Sequence, residues 1–143
     1  MAEMNPETLH CVLLADRHHG ITEGIRGLLE TTFDAVVMVA DETSLLESAS
    51  RLHPTLAVVD LSLARGDSLQ WLQRLRACSP DSKIIVISVH DEPSVARAAL
   101  ESGADAFVLK RCLATDLLPA VDSLLLAAKL DTDARGDLGT AIP

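Results

Sequence analysis

Five times along the chain a short apolar run is followed by a stretch in which apolar residues recur every three or four positions. Cys11-Val12-Leu13-Leu14-Ala15 reads as a first strand, followed by a helix with Ile21, Ile25, Leu28 and Leu29 on one face. Ala35 to Ala40 reads as a second strand. The helix after it carries Leu45, Leu46, Ala49 and Leu52, with a capping box from Ser44 to Glu47 and a stop at His53-Pro54. A third strand, Leu56 to Val59, ends on Asp60, and Leu69, Leu72 and Leu75 mark a helix that stops before Ser79-Pro80. Ile84 to Ile87 delivers Ser88, and the next helix opens with Pro93 in its first turn and ends at Gly103. The fifth strand, Ala106 to Leu109, delivers Lys110. The last helix has Leu117, Leu118, Val121, Leu124 and Leu125 on one face and Pro119 in its first turn.

Regular alternation of strand and helix periods is the pattern of βα units stacked into a parallel sheet, so the fold class is α/β. The composition fits: 48% of the 143 residues are apolar but only 2% are aromatic, so the core is built from Leu, Val, Ile and Ala. At this length a single domain buries a sufficient core. Met1–Thr8 reads as a disordered N-terminus. Leu130–Pro143, with three aspartates, two glycines and few apolar residues, reads as a flexible linker or tail.

The formal net charge of -9 repels phosphate backbones and anionic headgroups, which argues against direct nucleic-acid or membrane binding by this chain. The apolar runs are far shorter than a membrane span, and the N-terminus lacks a basic, apolar leader. Cys11, Cys78 and Cys112 are odd in number and widely spaced, which fits neither a disulfide framework nor a zinc site. A reducing cytoplasm is the natural setting.

Ligands of open α/β sheets bind beyond the carboxyl ends of the strands. Asp16 and Arg17 follow strand one, Asp60 strand three, Ser88 strand four and Lys110 strand five, so all should reach that edge. A carboxylate, a hydroxyl and an ammonium in one crevice suit phosphoryl transfer, in which the carboxylate attacks and cations neutralise the phosphoryl oxygens. His18-His19 invites a metal or relay role, but adjacent loop histidines point apart, and a solvated loop is the preferred reading. His90 is a turn residue or a modulator of water access.

Taken together, Val12-Leu13-Leu14-Ala15-Asp16-Arg17-His18 with Glu23-Gly24, Val58-Val59-Asp60-Leu61-Ser62-Leu63, Ile85-Val86-Ile87-Ser88 and Gly103-Ala104-Asp105-Ala106-Phe107-Val108-Leu109-Lys110 resemble the motifs of response-regulator receiver domains. The variety they resemble precedes helix-turn-helix outputs. The resemblance implies a flavodoxin-like (βα)5 three-layer sandwich over residues 9–129, with parallel strand order 2-1-3-4-5. It implies a cytoplasmic switch rather than an enzyme, which takes a phosphoryl group on Asp60 from a sensor histidine kinase. In that scheme Ser88 and Lys110 contact the phosphoryl oxygens, Phe107 turns inward as Ser88 moves, and Mg²⁺ is held by Asp60, the Ser62 backbone carbonyl and, through water, Asp16. The partners it implies are the kinase, a DNA-binding output domain outside this chain and a second copy in a homodimer. The dimer face is open between helix one with helix five and helix four with strand five.

One departure bears on the chemistry. The family's second acid after strand one, a direct metal ligand, is here Arg17. Losing a carboxylate and gaining a cation should weaken Mg²⁺ binding, and the guanidinium is expected to fork onto Asp16 or Asp60 in the metal's place. The alternative function is therefore a phosphorylation-independent pseudo-receiver or adaptor that binds a protein partner. Ala64 and Ser68, where the family usually has Pro and Gly, bear on loop stiffness alone. A flavin enzyme of the same strand order would need a hydroxyl-rich loop where Asp16-Arg17-His18-His19-Gly20 stands.

Overall fold

The computed structural model describes residues 11–64 and 68–141. The strands are β1 (Cys11–Ala15), β2 (Ala35–Val39), β3 (Leu56–Asp60), β4 (Lys83–Ser88) and β5 (Ala106–Leu109). They alternate with α1 (His19–Leu29), α2 (Glu42–Leu52), α3 (Gln70–Cys78), α4 (Pro93–Glu101) and α5 (Leu113–Ala141), the last preceded by one 3₁₀ turn, Lys110–Cys112. All pairings are parallel, in the order β2-β1-β3-β4-β5. The call of Met1–Thr8 as disordered lies outside the described residues.

The period-2 pattern sorts the strand residues into two cores. Leu13, Ala15, Ala57, Val59, Ile84 and Val86 face α2, α3 and α4, where Leu45, Ala49, Trp71, Leu72, Leu75 and Ala99 meet them. Val12, Leu14, Leu56, Val58, Ile85, Ile87 and Val108 face α1 and α5, against Ile25, Leu29, Leu117 and Val121. Every residue of β3 is buried, as a central parallel strand covered on both faces requires.

Two local readings are corrected. The cap of α2 is Asp41, whose side chain accepts the Ser44 backbone N–H at 2.8 Å, so the helix begins a turn before the Ser44–Glu47 box. Pro119 lies inside α5 because that helix starts early, straight from the 3₁₀ turn. The N–H it lacks would have bonded the carbonyl of Thr115, and both residues are on the exposed side, where water can take that carbonyl. The backbone of α5 continues through Ala141, into the segment from Leu130.

Arg76, unremarkable in the sequence, ties three elements together. From α3 its guanidinium donates to the carbonyls of Ser82 (2.6 Å) and Gly103 (2.8 Å) and to Asp105 Oδ2 (2.6 Å). That carboxylate oxygen also accepts the Ile84 N–H at 2.8 Å, which fixes the start of β4. Gly103 ends α4 with φ +124°, a conformation an L side chain rarely adopts. A Cβ there would meet Arg76 Cβ at 3.7 Å, an ordinary contact, so Gly103→Ala is penalised by backbone strain rather than by collision. The expected loss is about 1–2 kcal/mol. Gly27→Ala, in an exposed position of α1 with nothing near its Cβ, should instead gain about 0.5–1 kcal/mol. Urea midpoints of the two variants check the opposite signs.

Candidate functional site

The strand register assembles the pocket. Ala15 lies opposite Val59, so Asp16 and Asp60 leave adjacent strands side by side. Asp60 lies opposite Ile87 and Ser88 opposite Leu109, which brings Ser88 and Lys110 to the same edge. Asp16, Asp60 and Ser88 are each at most 2% exposed. Lys110 opens the 3₁₀ turn with its side chain only 6% exposed.

Lys110 Nζ donates to Asp60 Oδ2 at 3.0 Å and stands 3.2 Å from Asp16 Oδ2. The second approach is an ion pair in distance but not in angle, so Asp16 Oδ2 is buried without a hydrogen bond. Ser62 clamps Asp60 from the following turn, its N–H on Oδ1 (3.1 Å) and its hydroxyl on Oδ2 (3.0 Å). Burial works to raise the Asp60 pKa. The Ser62 N–H, the Lys110 ammonium and the Ser62 hydroxyl outweigh it and hold the carboxyl below the ordinary carboxylate range, so Asp60 is an anion at neutral pH.

One sequence expectation fails here and another is incomplete. Arg17 does not fork onto either aspartate: it is exposed and lines a cleft with Asp41, Glu42, Thr43, Leu63 and Ala64. A guanidinium desolvated between buried groups would have to replace its hydration with well-aimed bonds, and the long side chain instead reaches water on the α2 side. His18 does lie in a solvated loop, its side chain 55% exposed, but its ring also reaches the site. Its backbone N–H and its ring Nδ1 both contact Asp16 Oδ1, at 2.9 and 3.1 Å, and Nδ1 lies 3.6 Å from Asp60 Oδ2. The tight turn after β1 turns the third residue, not the second, back over the acids. The Asp16-Arg17-His18 spacing was the available signal, but which of the two side chains faces inward is decided by the turn.

Ser88 Oγ accepts the His90 N–H at 3.0 Å, so the hydroxyl is held by its own loop. Phe107 is half-buried against the core that faces α2, α3 and α4. The histidine at 90 thus enters through its backbone.

Two buried carboxylates facing one ammonium leave a negative charge that a divalent cation would balance, and Asp16 Oδ2 is an unsatisfied oxygen on the same carboxylate. The pocket therefore fits a divalent cation, with Asp16 and Asp60 as the acidic ligands. Asp16, His18 and Asp60 each offer one donor atom within 4.8 Å of the others. Among the described residues, no helix is long and apolar enough to cross a membrane.

The family model described as response regulator receiver domain matches residues 12–122. The chain is 31% identical over 123 residues to the nitrate/nitrite response regulator protein NarL of Escherichia coli, covering 85% of this chain and 56% of that protein. It is 27% identical over 112 residues to the transcriptional regulatory protein DegU of Brevibacillus brevis, covering 77% of this chain and 48% of DegU. It thus spans about half the length of these curated relatives. A solved structure of the non-phosphorylated receiver domain of the stress response regulator RcsB from Escherichia coli superposes with a TM-score of 0.74 at 28% identity, covering 82% of this chain and 94% of that one.

Proposed function

Since the chain belongs to the response regulator receiver domain family, we propose that Asp60 is its phosphoacceptor and that phosphorylation switches a transcriptional output domain outside this chain. One observation carries the reading: a buried, ionised carboxylate at the end of β3 with the Lys110 ammonium 3.0 Å from Oδ2. An Asp60 oxygen attacks phosphorus and forms a P–O bond. The P–N bond of a kinase phosphohistidine, or the P–O bond of acetyl phosphate, breaks with its electron pair on the leaving group. Lys110 neutralises the transferred oxygens. Ser88 moves to donate its hydroxyl to a phosphoryl oxygen, and Phe107 follows it inward, which alters the surface of α4, β5 and α5. A divalent cation held by Asp16, Asp60 and the Ser62 carbonyl would supply further charge neutralisation; the expected family ion is Mg²⁺. The proposed upstream partner is a sensor histidine kinase, in the cytoplasm.

Intact-mass spectra after incubation with acetyl phosphate and Mg²⁺ test this. One phosphoryl adduct is expected on the wild type and none on Asp60→Asn. A second reading, the phosphorylation-independent adaptor, is favoured by the partial compensation of Asp16 and Asp60 by Lys110, which stands within 3.2 Å of both with His18 beside them. The absence of any wild-type adduct would overturn the phosphoacceptor assignment in its favour.

A further inference from the structure

We propose that His18 takes over the ligand position vacated by the second acid, and that the pocket consequently binds divalent first-row transition ions in preference to Mg²⁺. The inference rests on the reading of this pocket as a divalent-cation site. Three observations lead to it. Among the described residues, the imidazole nitrogen turned onto both carboxylates is His18 Nδ1, 3.1 Å from Asp16 Oδ1 and 3.6 Å from Asp60 Oδ2, and in the tautomer protonated at Nε2 it offers its lone pair to an ion there. Cis donors about 2.1 Å from a common ion stand about 3 Å apart, so these separations are those of ligands around one centre. The backbone that carries the ring is also anchored, because the His18 N–H holds Asp16 Oδ1 at 2.9 Å and the Thr22 hydroxyl donates to the His18 carbonyl at 2.7 Å.

The second observation is the orphan Asp16 Oδ2, fully enclosed and without a hydrogen bond. It is independent of the histidine: the Lys110 ammonium stands 3.2 Å away without a bonding angle, so the oxygen keeps a lone pair free for an ion. The third is that Arg17, the cation that should have spoiled the pocket, is exposed on the α2 side and leaves its mouth to His18.

The donor chemistry then sets the choice of ion. Mg²⁺ takes oxygen ligands and gains little from an imidazole, whereas nitrogen donors raise affinity along the series from Mn²⁺ to Ni²⁺ and Cu²⁺. Two carboxylates and one imidazole make a mixed oxygen and nitrogen set. Ni²⁺ discriminates best as a probe because it is octahedral like Mg²⁺ and differs mainly in its liking for nitrogen.

The test is calorimetric titration of the full chain with Ni²⁺ and, separately, with Mg²⁺, for the wild type, His18→Asn, His19→Asn and Asp60→Asn. The His18 ring ¹⁵N shifts give a readout independent of affinity. We expect Ni²⁺ to bind the wild type at least 100-fold more tightly than Mg²⁺. We expect His18→Asn and Asp60→Asn each to weaken Ni²⁺ on the order of 100-fold, His19→Asn to leave it unchanged, and His18→Asn to weaken Mg²⁺ by a smaller factor than Ni²⁺. The shift perturbation should fall on Nδ1 of His18. Equal Ni²⁺ affinity in the wild type and His18→Asn, or a shift at His19 alone, overturns the proposal. In that event a phosphoryl adduct formed with Mg²⁺ would still stand, so the receiver reading survives. Loss of the adduct with the Ni²⁺ results as expected would instead remove the phosphoacceptor reading and keep the metal site. Failure of any divalent ion to bind overturns the proposal outright.

Discussion

Replacing Lys110 with Met is expected to cost about 3 kcal/mol at neutral pH, because removal of one partner leaves an uncompensated buried charge. The three side chains involved, Lys110, Asp16 and Asp60, are 6%, 0% and 3% exposed, so water cannot take over from the ammonium. The pH dependence has a definite sign. In the wild type the Asp60 pKa is lowered, so its contribution to stability is complete above the unfolded carboxylate value of about 4 and is lost as pH falls through the lower folded value. Without Lys110 the folded value rises, and protonation relieves the variant as the solution is acidified. The gap between wild type and variant should therefore be widest near neutrality and narrow toward acid. Urea unfolding at neutral and mildly acidic pH measures it. Adding Asp60→Asn to Lys110→Met should recover much of the loss, since only one carboxylate then remains to be compensated. Strictly additive losses would refute the account.

Leu14→Ala should cost a similar amount, about 3 kcal/mol, by a different mechanism. Leu14 is fully buried in β1 and faces the core shared by α1 and α5, among Val58, Ile85, Ile25 and Leu117. Its strand is paired on both sides, which limits how far the backbone can close over the hole. Against a total stability of about 5–15 kcal/mol for an ordinary domain, this single truncation removes a large share. The control is Leu126→Ala on α5, where the side chain is 58% exposed and a change within about 0.5 kcal/mol is expected. A urea midpoint that falls in the first variant and holds in the second, with unchanged slopes, is the result that fits two cores on opposite faces of one sheet.

What the sequence determined by itself was the repeating local pattern. Apolar runs of strand length between helical periodicities can be buried only in a parallel sheet with helices on both faces, and that was legible from β1 to α5. So was the convergence of Asp16, Asp60, Ser88 and Lys110 on one edge, because each directly follows a strand and parallel strands end together. What only the tertiary structure decided is where neighbouring polar side chains point and what distant groups share. Arg17 and His18 are adjacent and both basic in character, and the turn after β1 sends the first to water and the second over the acids. Arg76 reads as one more surface charge, yet it closes on carbonyls 6 and 27 residues away. Nor does the sequence show that Ser88 is held by the His90 N–H or that α5 runs straight from its 3₁₀ turn. Periodicity records which face of an element is apolar. The direction of a polar side chain in a loop depends on turn dihedrals and on partners from other strands, and these exist only once the sheet has formed.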